Sequence, residues 1–183
     1  MKFHTTSLTG VYLAESAPIT DHRGTLTRLF CGNDLAPVLG PRRIIQINYT
    51  QTRLAGAVRG LHLQHAPHAE MKMIRCLKGR VWDVAVDLRA DSATFLQWHA
   101  EELSPQNGRM MIVPEGVAHG FQALEADSDL LYLHTAAYAP EAEAGFSCKD
   151  GELNIRWPLP ILDLSARDAS HPLIPSDYPG ITL

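Results

Sequence analysis

Apolar and polar residues alternate strictly over residues 81–88. Trp82, Val84, Val86 and Leu88 fall on one side of an extended chain, and Val81, Asp83, Ala85 and Asp87 on the other. A period of two predicts a β-strand, because successive side chains leave a pleated backbone on opposite faces. Shorter apolar runs of the same kind occupy residues 44–48, 72–77, 110–113 and 130–135. Turn formers separate such runs at Gln106-Asn107-Gly108, Pro114-Glu115-Gly116 and Ala126-Asp127-Ser128. Helical periodicity is almost absent. Residues 34–39 have room for a turn or two before Pro41, and Ser165-Ala166-Arg167-Asp168 has the form in which a serine caps free amide groups. Residues 171–183 carry three prolines and read as an extended surface tail. The pattern predicts an all-β sandwich or barrel of antiparallel strands with a few short peripheral helices.

Composition narrows the function classes more than the fold. The 183 residues fit one domain spanning 1–183, without a linker or low-complexity segment. A net charge of −4 supplies no general attraction to nucleic acid or a membrane surface, so an anionic ligand would need a local basic pocket. Cys31, Cys76 and Cys148 are odd in number and widely spaced, which favours reduced thiols over a disulfide framework. Met1-Lys2-Phe3-His4-Thr5-Thr6 is not the start of a signal peptide, and no uncharged run is long enough for a membrane helix. The expectation is a soluble cytoplasmic protein.

Strand alternation then isolates a polar face. His62 and Gln64 share one side of their segment, Tyr132 and His134 share one side of theirs, and Lys72 opposes Met71 and Met73. A barrel interior lined this way is a pocket rather than a packed core. The spacing also matches the two cupin motifs: Gly56, five residues, then His62-Leu63-Gln64; Lys72, six residues, Gly79; and Gly108, five residues, then Pro114 leading to His119. Metal-binding cupins carry a second histidine and a glutamate where Gln64 and Lys72 stand here. An ammonium has no lone pair and repels a divalent ion, so no metal site is expected from His62 and His119 alone.

The same residues suit proton abstraction beside a ketone. That reaction needs a base on one face, a cation at the developing enolate oxygen, and an acid on the opposite face to invert the centre. His62 has the pKa range for the base, Lys72 is the candidate enolate partner, and Tyr132 the candidate acid. A carboxylate behind His62 would fix its tautomer and raise its basicity. His65 and His68 flank Pro67 and read as surface loop residues.

Together these segments resemble the dTDP-4-dehydrorhamnose 3,5-epimerase family over residues 10–173. The resemblance is carried, in order, by Asp21-His22-Arg23-Gly24, Val58-Arg59-Gly60-Leu61-His62, Lys72 within Met71-Lys72-Met73-Ile74-Arg75-Cys76, and residues 81–89. It continues through residues 112–121, Tyr132, Tyr138-Ala139-Pro140-Glu141 and Leu164-Ser165-Ala166-Arg167-Asp168. It implies a cupin-type jelly-roll homodimer to which the N-terminal strands contribute, without a cofactor, acting on a dTDP-linked 4-keto-6-deoxy sugar. His62 would pair with Asp168 as the base, Lys72 would lie near the C4 carbonyl, and Tyr132 would be the acid. Arg59 and Arg23 would hold the diphosphate, Arg23 reaching into the partner subunit's site. Gln46, Asn48, His119, Tyr138, Glu143 and Arg167 match other substrate-pocket positions. Leu26 and Leu63 stand where the family places aromatics, so the lining is expected to differ. Two further readings remain: a metal-dependent cupin using His62 and His119, and a sugar-nucleotide binder without activity.

Overall fold

The alternation at residues 81–88 forms an interior strand of a five-stranded sheet. The computed structural model describes the whole chain, Met1–Leu183. In chain order it contains β1 (Lys2–Thr5), β2 (Tyr12–Glu15), β3 (Ile19–Asp21), β4 (Gly24–Leu26), α1 (Gly32–Leu39), β5 (Gln46–Thr52), β6 (Val58–Gln64) and β7 (Lys72–Lys78). There follow β8 (Val81–Asp87), β9 (Trp98–Leu103), β10 (Arg109–Val113), β11 (Val117–Ala123), β12 (Ser128–His134), β13 (Glu143–Gly145) and α2 (Ala166–Ala169). One sheet has the order β1-β2-β10-β7-β12-β5 and the other β13-β6-β11-β8-β9, with β3 and β4 as a separate hairpin. Every strand pairing is antiparallel. The architecture is the expected cupin-type jelly roll.

Both sheets are covered on both faces, which explains the near-continuous apolar character of their central strands. Between the sheets, Ile74, Cys76, Met111, Val113 and Leu130 of the first meet Val81, Ala85, Leu103, Val117 and Phe121 of the second. Behind the first sheet, Leu35 and Leu39 of α1 cover Met73, Met110, Ile112 and Leu133. This helix begins two residues before the predicted segment and contains Pro37. Leu35 is fully buried. Leu35→Ala is therefore expected to lower stability by about 2–5 kcal/mol, read as a lower urea midpoint at unchanged slope.

Behind the second sheet, Leu61, Leu63, Val84, Val86 and Leu88 pack against Leu153, Ile174 and Ile181. This corrects the reading of residues 171–183 as a surface tail. The segment is extended, but Ile174 and Ile181 are buried, Ile181 bridges Arg89, and its N–H donates to the Leu88 carbonyl at 2.6 Å. The outer face of β8 is more apolar than its inner face, which carries Asp83 and Asp87, and the C-terminal segment is what removes it from water.

Toward one end the inner faces change from apolar to polar. His62 on β6 stands opposite His119 on β11. On the facing sheet, Tyr132 is in register with Asn48, and His134 with both Gln46 and Lys72.

Candidate active site

The polar end encloses a cavity of about 1010 Å³ between the two sheets. Every sequence-predicted site residue borders it except Arg23: His62, Lys72, Tyr132, Asp168, Gln46, Asn48, Arg59, His119, Tyr138, Glu143 and Arg167 are all on its walls. Arg23 lies at the tip of the β3–β4 hairpin, exposed and paired with Asp21 at 2.6 Å. Within one chain the hairpin projects away from the body, so Arg23 has no contact with this cavity. Leu26 is exposed on the same hairpin, whereas Leu63 is buried in the cluster behind β6 while also bordering the cavity.

His62 and Asp168 come together from distant parts of the chain. His62 Nε2 lies 2.7 Å from Asp168 Oδ1, and the other carboxylate oxygen accepts the Gly60 N–H at 3.3 Å. Gly60 is required here: a Cβ would fall 2.6 Å from Gly120 Cα and 2.7 Å from the His119 carbonyl, so only glycine lets β6 approach β11 this closely. Ser165 caps α2 by accepting the Asp168 backbone N–H at 3.0 Å. The aspartate is thus part of the predicted cap through its backbone and a partner of His62 through its side chain. The two roles do not compete.

Burial alone would raise the Asp168 pKa. The hydrogen bond and charge of His62, the Gly60 N–H and Arg167 outweigh it and hold the carboxyl below its usual range. An ionised carboxylate only accepts, so Nε2 of His62 carries the proton and Nδ1 is left as the basic nitrogen. Because the folded-state pKa is depressed, this group stabilises the fold above about pH 4 and the contribution disappears as pH falls through the lower folded value. Asp168→Asn is expected to flatten the acid loss of stability between about pH 5 and pH 2, measured by denaturant melts at each pH.

The facing wall carries the cation. Lys72 is buried, with Nζ 3.3 Å from Glu70 Oε1 and 3.4 Å from the His62 carbonyl oxygen. Glu70 also accepts from His134 Nδ1 at 2.8 Å, and Asn48 donates to His134 Nε2 across 3.3 Å. Burial opposes ionisation of Glu70, but His134 and Lys72 together keep its pKa below the usual value. Tyr132 stands between two histidines: its ring is stacked on His134 at 6.0 Å and edge-on to His119 at 5.9 Å. Burial, then the negative charge of Asp83, pushes its hydroxyl well above the ordinary tyrosine range despite Arg59. Tyr132 is consequently protonated at any ordinary pH.

At the rim, Glu143 Oε2 accepts from both Tyr138 Oη and Arg167 at 2.8 Å. Arg59 and Arg53 add positive charge along the same opening. His119 is oriented from below by Asp83, 2.7 Å away and fully buried. Sequence reading placed His134 on the polar inner face without giving it a role, and passed over Glu70, Asp83, Arg53 and His171 as site residues. Period two held the signal for several: Glu70 is two residues from Lys72, His134 two from Tyr132, and Asp83 lies on the inner side of β8.

The metal-cupin positions do not form a ligand set. Gln64 donates to the His68 and Ala137 carbonyls and accepts the Ala139 N–H, and Lys72 brings an ammonium. The metal-capable donors that do converge are His62, Asp168 and His171, within 4.8 Å of one another. Two of these already share the 2.7 Å hydrogen bond.

Comparison with known proteins fits this geometry. The family model described as dTDP-4-dehydrorhamnose 3,5-epimerase matches residues 5–176. The dTDP-4-dehydrorhamnose 3,5-epimerase of Salmonella typhimurium is 36% identical over 171 residues, covering 92% of this chain and 93% of its own. The dTDP-6-deoxy-D-glucose-3,5-epimerase of Legionella pneumophila, solved with dTDP-4-keto-L-rhamnose, superposes with a TM-score of 0.89 at 36% identity, covering 94% of this chain and 92% of its own. A 3'-monoepimerase of Streptomyces bikiniensis, solved with dTDP-quinovose, gives a TM-score of 0.86 at 30% identity, covering 93% and 86%. The chain belongs to the dTDP-4-dehydrorhamnose 3,5-epimerase family of isomerases.

Proposed function

We propose that this protein inverts C3, C5 or both in a dTDP-linked 4-keto-6-deoxy sugar, using side chains alone. The observation that carries this reading is the opposition of two walls: His62 on β6, backed by Asp168 of α2, faces Lys72 and Tyr132 on the other sheet across one cavity. A base and an acid on opposite faces are what inversion at carbon requires.

His62 Nδ1 takes the proton from the carbon beside the ketone, and the C–H electrons move to the carbonyl oxygen as an enolate. Asp168 stabilises the imidazolium that results. Lys72 stabilises the enolate charge from a fixed position, where a low-dielectric surrounding strengthens it. Glu70 and His134 hold that ammonium in place. The enolate then collapses, and its carbon takes the Tyr132 hydroxyl proton from the far side. Arg59 and Arg167 are the diphosphate partners on this chain, since a guanidinium pairs bidentately with phosphate oxygens.

The chain acts as one domain over 1–183, and as a homodimer. Support for the dimer comes from exposed Ile19 and Leu26 on the free hairpin, exposed Ile47 and Tyr49 on edge strand β5 and exposed Ile45 just before it, an apolar surface that association would cover. Strands β1 and β2 are engaged in the chain's own sheet, so the hairpin is the N-terminal element free to cross and carry Arg23 to the partner's cavity. Sedimentation at twice the 20.2 kDa chain mass is the expected result. The unpaired Cys31, Cys76 and Cys148 suit a reducing cytoplasm, and no helix is long and apolar enough to cross a membrane.

The test is turnover of dTDP-4-keto-6-deoxyglucose in D2O followed by mass spectrometry, with and without chelator. One or two deuterons gained, chelator having no effect, is the expected outcome. Bound substrate without any exchange would overturn the activity for this sugar, and chelator-sensitive activity would favour a metal-dependent reaction.

A further inference from the structure

The His62–Asp168 pair has a second cleft behind it. This cleft, of about 380 Å³, is lined by Glu143, Ala144, Gly145, Arg167, His171 and Pro172. His171 borders this cleft and not the main cavity, yet its ring reaches the back of the dyad. It stands edge-on to His62 at 87°, with centroids 5.4 Å apart. A nitrogen of each histidine and an Asp168 carboxylate oxygen lie within 4.8 Å of one another. His62, His119 and His134 are each held by a carboxylate at 2.7–2.8 Å. His171 is not, and its Nδ1 is buried without a hydrogen-bond partner. Gly145 makes room for the ring: a Cβ there would come within 2.5 Å of His171 Cε1. Pro172 accepts the Ser147 N–H at 2.8 Å and Ile174 donates to Asp150 at 2.6 Å, which fixes the segment in this position.

Two imidazoles and one carboxylate at this spacing are a transition-metal donor set. We propose that His62, Asp168 and His171 form an inhibitory zinc site, entered from the second cleft, and that the ion switches the base off by changing its tautomer. Zinc holds histidine nitrogen and carboxylate oxygen at about 2.0–2.2 Å, so two imidazoles on one tetrahedral ion have centroids about 5 Å apart. His62 and His171 already stand at 5.4 Å. Donor atoms on such an ion are about 3.3 Å apart. The 2.7 Å bond between His62 and Asp168 therefore opens slightly, and His171 moves inward. Water from the second cleft completes the four-coordinate shell. Arg167 Nε, 3.8 Å from Asp168, opposes a cation, but Glu143 pairs with the same guanidinium at 2.8 Å. Asp168 and Glu143 against Arg167 leave one net negative charge around the ion.

The effect on His62 follows from its two nitrogens. Without metal, Nε2 carries the proton and Nδ1 keeps the lone pair that faces the cavity. Zinc takes the Nε2 lone pair, and the single imidazole proton moves through solvent to Nδ1. No proton is gained or lost overall, but the nitrogen that has to accept one from carbon is now occupied. Magnesium does not substitute, since it prefers an octahedral oxygen shell. Occupation of the site is independent of the epimerase reading; the inhibition rests on it.

The test begins with protein stripped of metal by a chelator and titrated with zinc sulfate, by calorimetry and by turnover of dTDP-4-keto-6-deoxyglucose. One ion per chain is expected to bind. The kcat is expected to fall in proportion to occupancy with KM unchanged, because the ion lies behind the ring. Chelator should restore the rate, and magnesium should leave it alone. Cobalt in the same site should show the strong visible bands of a four-coordinate ion. In imidazole nitrogen NMR, zinc should move the His62 proton from Nε2 to Nδ1. His171→Ala and His171→Gln should turn over normally without metal and bind zinc about 100-fold more weakly or worse, since losing even an outer partner of a metal ligand costs about 10- to 100-fold. Unchanged zinc inhibition in both variants would overturn the site. So would a rise in KM, which marks zinc on the substrate diphosphate. If both variants are inactive without metal, the wild-type spectra decide, and an unaltered His62 tautomer sinks the proposal. Bound zinc with undiminished turnover overturns the inhibition alone. Absent turnover in metal-free wild type overturns the epimerase reading, and calorimetry and the spectra still judge the site.

Discussion

His62→Asn is expected to reduce turnover by about 10²- to 10⁴-fold, the usual contribution of a positioned general base. Asparagine is too short to carry its amide to the position of Nε2, so Asp168 loses that partner, while the carboxylate still accepts the Gly60 N–H and keeps Arg167 nearby. What disappears is the basic nitrogen on the cavity side. The loss should fall equally on kcat and kcat/KM, because the base is needed only as the proton moves. Nucleotide affinity, measured by calorimetry with dTDP, should stay near that of the wild type, since Arg59 and Arg167, the proposed diphosphate partners, are untouched. A variant that turns over at the wild-type rate would remove His62 from the mechanism.

The contrast between legible and hidden parts of this site has a physical origin. His62, Lys72 and Tyr132 could be picked out because each sits on a strand whose apolar neighbours define an inside. A polar residue on an inward face is then conspicuous, as its burial needs a reason. Their mutual arrangement is another matter. Asp168 reaches His62 across 106 positions of sequence, and no periodicity encodes a contact between a four-residue helix and a distant strand. Family resemblance supplied that pairing. His171 escaped notice because it lies in a proline-containing segment with no strand pattern, which read as a loose tail. The burial of Ile174 and Ile181 is what holds it against the dyad. Arg23 shows the opposite case: its segment is clear in the sequence, yet one chain gives it no cavity to act in. The short strands β1, β3, β4 and β13 were not visible either. They span only three or four residues, too few for alternation to stand out from chance.

Tyr132→Phe tests the opposite wall and should separate two events that the wild type couples. Phenylalanine preserves the ring against His119 and His134, so the wall keeps its shape and only the hydroxyl is lost. Inverted product should fall by about 10²- to 10⁴-fold, because the acid assigned to that side is lost. Deuterium should nevertheless enter recovered substrate, with its configuration retained, because His62 still removes the proton and returns a solvent-derived one to the same face. The tyrosine pKa, pushed well above the ordinary range by burial, makes a second part of this prediction. Tyr132 stays protonated through any usable alkaline range, so ionisation of this group produces no alkaline fall in wild-type kcat. The same desolvation and the nearby Asp83 disfavour the tyrosinate left after donation, which drives it to regain a proton before the next centre. Inversion at the wild-type rate in Tyr132→Phe would place the acid elsewhere on this wall, with His134, held by Glu70 at 2.8 Å, the residue to substitute next.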